Sequence, residues 1–115
     1  MPNLKIYVDE TIFDGVRGRL SEALEPIRAL LCDAFRVEPP ACQLAVIPIM
    51  GLPDQPQVNI ELLILPHAER TGEAIRAAAE RLRALLTSVT GARVAVRIAQ
   101  LDPVTYVALK EAQVA

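Results

Sequence analysis

The chain has 115 residues, a formal net charge of −2 and 52% hydrophobic residues, with no Trp, two Phe and two Tyr. That length suits one domain with a real core, residues 1–115; the charge argues against a nucleic-acid partner, and no apolar run approaches the ~18 residues of a membrane span. The apolar mass is Leu, Ile, Val and Ala, more than a small monomer needs, so part of it is expected to be covered by other subunits.

The first strand is Met1 to Asp9. Leu4, Ile6 and Val8 alternate with Asn3, Lys5, Tyr7 and Asp9, the period of a half-buried strand. Pro2 follows the initiator methionine. Removing Met1 turns Pro2 into a secondary amine at the end of a rigid strand. Such an amine titrates near roughly 8, burial lowers that value, and the group can then exchange protons at neutral pH. The alternative is that Pro2 is only a favourable second residue. No signal-peptide pattern is present, since Lys5 is followed by Asp9 and Glu10.

Residues 11–15 read as a turn, with Asp14 as N-cap of a helix from Val16 to about Phe35. Its apolar positions are Val16, Leu20, Ala23, Leu24, Ile27, Leu30, Leu31, Ala34 and Phe35, helical spacing with one buried stripe. Pro26 lies inside that stripe and is expected to kink the helix without ending it. Glu38-Pro39-Pro40 stops it. Cys42 to Met50 is nearly continuous apolar sequence, a strand covered on both faces. Pro48 places that strand at a sheet edge, and Gly51 to Gln55 is a turn.

The second half repeats the first, at an offset of 54 residues from Pro2 to Pro56. The halves are about 1–53 and 54–103, with a tail at 104–115. Val58, Ile60, Leu62 and Ile64 form the buried side of the third strand. Thr71 is the expected N-cap of a second helix, striped by Ala74, Ile75, Ala78, Leu82, Leu85, Leu86 and Val89, and Gly91 its C-cap. A fourth strand runs from Ala92 to Leu101. The fold class is therefore α+β: two β-α-β units, each with a right-handed crossover. They form a four-stranded mixed sheet with both helices on one face and the first and third strands central and antiparallel. The other face is expected to be apolar, through Ala45, Ile47, Leu63 and Leu65, and to be covered by a partner subunit.

Other chemistry is sparse. Cys32 and Cys42 match neither a CxxC motif nor a disulfide framework, and Cys32 reads as a packed small residue. His67 is the only histidine, so no metal is expected. The chain reads as cytoplasmic, reduced and free of cofactors. Arg70 precedes the helix cap at Thr71, where free N–H groups and the helix dipole favour an anion. A guanidinium there can grip a carboxylate with two hydrogen bonds. The alternatives for Arg70 are solvent exposure or an ion pair with Glu69 or Glu73.

A proline directly after Met1, a β-α-β unit repeated once in about 115 residues, and exposed edge strands resemble the tautomerase superfamily. The length resembles its 5-carboxymethyl-2-hydroxymuconate isomerase branch and, more distantly, the macrophage migration inhibitory factor branch. Pro26 within the first helix, Arg70-Thr71 opening the second, and Leu101-Asp102-Pro103 after the last strand carry the likeness to the isomerases. The resemblance implies a homotrimer with a site at each amino-terminal proline. It also implies a cofactor-independent tautomerase of a small unsaturated 2-keto acid, in which Pro2 is the general base and Arg70 holds the substrate carboxylate. Tyr106, in the tail, can reach a neighbouring pocket or merely pack there. The chain departs from the short relatives at Ile12 and Gln43, where those carry arginines. Arg93 and Arg97 can supplement Arg70 or pair inside the trimer. The alternative function is a non-catalytic trimeric ligand-binding or scaffold protein on the same fold.

Overall fold

The computed structural model describes residues 1–111. Strand β1 (Asn3–Asp9) leads into α1 (Glu10–Phe35), followed by a short 3₁₀ turn (Pro39–Ala41), β2 (Gln43–Ile49), β3 (Val58–Ile64), α2 (Gly72–Thr90) and β4 (Val94–Gln100). The four strands form one sheet in the order β2-β1-β3-β4. β1 pairs parallel with β2 and antiparallel with β3, and β3 pairs parallel with β4. Parallel neighbours joined through a helix are β-α-β units, so the expected topology is the observed one. Ile6 lies opposite Ile60 in the central pair. These two residues are equivalent in the repeat, so an approximate two-fold axis passes between them and exchanges the halves.

The core is the layer between helices and sheet. Leu4, Ile6 and Val8 of β1 and Val58, Ile60, Leu62 and Ile64 of β3 are buried against Leu20, Ile27 and Leu31 of α1 and Leu82 and Leu86 of α2. Each such side chain contributes roughly 1.5–3 kcal/mol when taken out of water. The edge strands supply Leu44, Val46, Val94, Val96 and Ile98, which are only half-covered.

Two expectations are corrected. Helix α1 begins at Glu10, directly after β1, and residues 11–15 are helical rather than a turn. Its N-cap is Asp9, not Asp14. The Asp9 carboxylate accepts from the Thr11 backbone N at 2.9 Å and the Thr11 Oγ1 at 2.7 Å. Those bonds hold its carboxyl below the usual carboxylate range. One cap satisfies a free helix donor, and Ile12 and Phe13 gain contact with the core, which outweighs the turn propensity of Asp14-Gly15. The open face of the sheet is also less apolar than expected. Ala45, Ile47 and Leu63 do lie on it, but Lys5, Glu61 and Arg97 stand in register across its centre. Alternation forces this: whatever sits between the buried positions of a central strand must point to the opposite face.

Helix α1 continues through Pro26 to Phe35. It ends on Arg36 in the left-handed region, φ 53°. Helix α2 has the expected caps: Thr71 Oγ1 accepts from Ala74 N at 3.1 Å, and Gly91, φ 67°, donates its N–H to Thr87 O at 2.8 Å. Gly91→Ala should lower stability by about 1 kcal/mol, because only the left-handed φ penalises the new Cβ and no atom lies near it. Thermal unfolding reads this directly, and an unchanged Tm would contradict it.

Candidate active site

Pro2 is buried at the head of β1. Its carbonyl accepts from Gln43 N at 2.9 Å, which fixes it against β2. Asn3 pairs with Gln43 in the parallel ladder, so Pro2 sits one residue beyond the ladder's end. While Met1 is attached, the Pro2 nitrogen is an amide. The Met1 amine is held below the ordinary value for a chain terminus. Burial is the main cause, followed by the positive charges of Arg70 and Lys110. Lys110 Nζ rests on Met1 Sδ. A cavity of about 530 Å³ opens here, lined by Met1, Glu38, Pro40, Gln43 and Lys110 among others.

Arg70 lies in the β3–α2 connection. Its Nη1 donates to Leu65 O at 2.6 Å and its Nη2 to Phe35 O at 3.3 Å. The guanidinium carbon lies 5.5 Å from the centre of the Phe35 ring. Arg70 thus joins the end of β3 to the end of α1. Both sequence alternatives, exposure and pairing with Glu69 or Glu73, give way to this arrangement; Glu69 instead lies 3.7 Å from Arg36. Arg70 Nε is buried and is the one unpartnered buried side-chain polar atom among the described residues.

Tyr106 is 42% exposed, with its backbone N bonded to Asp102 O at 2.9 Å. Arg93 and Arg97 bond within the chain, to Gln55 O at 3.1 Å and Asn59 Oδ1 at 3.4 Å. The cavity therefore gathers Met1, Gln43 and Lys110, with Pro2 bonded to Gln43 but outside the lining. Arg70 lines a separate cavity with Asp33, Phe35 and Glu69, yet is close enough to lower the Met1 amine. Lys110 was missed from sequence because a single lysine in a tail carries no pattern; only its fold-back beside Met1 marks it. The described tail runs to Glu111, and residues 112–115 lie outside the described residues. No helix among the described residues is long and apolar enough to cross a membrane.

The order β2-β1-β3-β4, with two helices on one face, is the β-α-β arrangement of the tautomerase and macrophage migration inhibitory factor fold. Solved structures of that fold match over nearly the whole chain. A macrophage migration inhibitory factor-like protein from Entamoeba histolytica matches with a TM-score of 0.70 at 12% identity, covering 93% of this chain and 94% of that one. A malonate semialdehyde decarboxylase matches at 0.64 and 15% identity, covering 93% and 90%. An asymmetric trimer of a fused 4-OT matches at 0.59 and 17%, covering 85% and 86%. No protein-family profile and no curated protein matches the sequence.

Proposed function

We propose that this chain is a cofactor-independent tautomerase or isomerase that moves a proton in a small unsaturated 2-keto acid, with Pro2 as its base once Met1 is removed. The observation that carries the reading is the buried, clamped position of Pro2, next in the chain to a Met1 amine that burial, Arg70 and Lys110 hold below its ordinary value. A base for a carbon acid must be held against the carbon and be partly unprotonated at neutral pH. His67 is exposed in a loop, and Asp9 is occupied as a helix cap, so neither competes for the role. The malonate semialdehyde decarboxylase, solved also with its first residue changed from proline to alanine, supports attention to this position.

Arg70, whose guanidinium has an unpartnered Nε, and Lys110 are the cations proposed for the substrate carboxylate. Tyr106 is proposed to border the pocket from the tail. The finer likeness, to 5-carboxymethyl-2-hydroxymuconate isomerase, rests on Pro26, Arg70-Thr71 and Leu101-Asp102-Pro103.

The same reading includes a homotrimer. The edges β2 and β4 present unpaired backbone groups, and Ala45, Ile47 and Leu63 lie on a sheet face that no element among the described residues covers. The trimeric fused 4-OT supports that assembly. Light scattering should give three times the chain mass at micromolar concentration, and a stable monomer would rule the trimer out. The enzymatic reading is tested by ultraviolet assay of keto–enol conversion on phenylenolpyruvate and 2-hydroxymuconate, with the mature N-terminus read by intact mass. A processed trimer that binds such acids without converting them would favour the scaffold alternative.

A further inference from the structure

Cys32 and Cys42 are separated by ten positions in sequence, in different elements, yet their sulfurs are 3.9 Å apart. Both are free and half-buried. Cys32 lies in the last turn of α1, and its carbonyl accepts from Val37 N at 3.3 Å. Cys42 closes the 3₁₀ turn, with its N–H donated to Pro39 O at 3.1 Å. Both backbones are thus anchored, and Pro39 and Pro40 stiffen the chain between them. The sulfurs are held near each other rather than meeting by chance, which makes bond formation effectively unimolecular. Sequence spacing alone gave no sign of this.

We propose that Cys32 and Cys42 are a redox-responsive dithiol that closes into an intramolecular disulfide when the protein meets a hydroperoxide. Cys32 sulfur attacks one peroxide oxygen, the O–O bond breaks, and the other oxygen leaves as water, or as an alcohol from an alkyl hydroperoxide. Cys32 is then a sulfenic acid. Cys42 sulfur attacks the Cys32 sulfur, the S–O bond breaks, and the hydroxyl leaves as water with the Cys42 proton. The two thiols lose two protons and two electrons, and the peroxide accepts both. Burial and the neighbouring Cys32 push the Cys42 thiol up to about 11, which disfavours Cys42 as the thiol that attacks the peroxide and leaves that step to Cys32. A reducing compartment returns the pair to thiols, so the bond is a response rather than a permanent staple.

The crosslink would tie the last turn of α1 to the residue before Gln43, whose N–H holds the Pro2 carbonyl. It therefore stiffens the segment that supports the chain's amino end. The inference does not depend on catalysis by Pro2.

The test treats native, fully reduced protein with a small molar excess of hydrogen peroxide and reads intact mass without reductant. The expected product is a single chain lighter by about 2 Da, with a Cys32–Cys42 linked peptide and neither thiol open to alkylation. Its Tm should rise by roughly 5–10 °C and return on adding dithiothreitol. Cys42→Ser should stop at the Cys32 sulfenic acid, trapped by dimedone. Retention of both thiols, separate over-oxidation of each cysteine, or crosslinking between chains would overturn the proposal. A linked product with unchanged Tm would overturn the stiffening. The wild-type arms stand even if the Cys42→Ser protein folds poorly.

Discussion

Protein lacking Met1 is expected to interconvert keto and enol forms of phenylenolpyruvate, and the same chain with Met1 attached is expected to lack that activity. The reason is the nitrogen. With Met1 present it is an amide whose lone pair is delocalised; with Met1 gone it is a secondary amine in a buried position. Burial, Arg70 and Lys110 already lower the terminal amine that stands there now. The proline amine one residue further in should be lowered in the same direction. The deprotonated form is the active base, so the rate should rise with pH and level off above a midpoint below the ordinary value of roughly 8. Pro2→Gly, processed in the same way, should lose about 10²–10⁴ in rate, the range for a positioned general base. If Met1-bearing protein proves as active as processed protein, Pro2 is not the base.

Arg70→Ala should have the second-largest effect, visible in two separate readouts. The first is stability. The substitution removes hydrogen bonds to Leu65 O and Phe35 O and the contact with the Phe35 ring. Two carbonyls lose a charged donor, at a net loss of about 2 kcal/mol or more. For a chain of this size that is a fall in Tm of roughly 10 °C. Arg70→Lys should recover little of it, since an ammonium cannot span two carbonyls with a planar fork. The second readout is kinetic. A substrate carboxylate is present in both ground and transition states, so a cation that holds it contributes mostly uniform binding. KM should therefore rise more than kcat falls. A lowered Tm with unchanged KM would leave Arg70 as a structural clamp only. A loss confined to kcat would mean that it acts on developing charge.

The element pattern was legible from the chain because it depends on periodicity and punctuation. Leu4-Ile6-Val8 and Val58-Ile60-Leu62-Ile64 alternate, and each run is buried as read. Thr71 caps α2 through its hydroxyl and Gly91 through its left-handed backbone, each where the residue type places it. The 54-residue offset made the halves equivalent, and Ile6 does face Ile60. Pro48 marked an edge, and β2 is one. Pro2 stood out by position alone. What local pattern could not decide was every competition settled by distant residues. Asp14-Gly15 has turn chemistry, yet helix won because Asp9 caps two residues before Thr11 and the core takes Ile12 and Phe13. Arg70 has no sequence neighbour that explains it, because one of its partners, the Phe35 carbonyl, lies 35 residues away. Lys110 reaches Met1 across 109 residues, and Cys32 meets Cys42 only because α1 ends above the start of β2. Periodicity is a property of neighbours along the chain, whereas these contacts are set by how helices, strands and tail pack within and between the two β-α-β units.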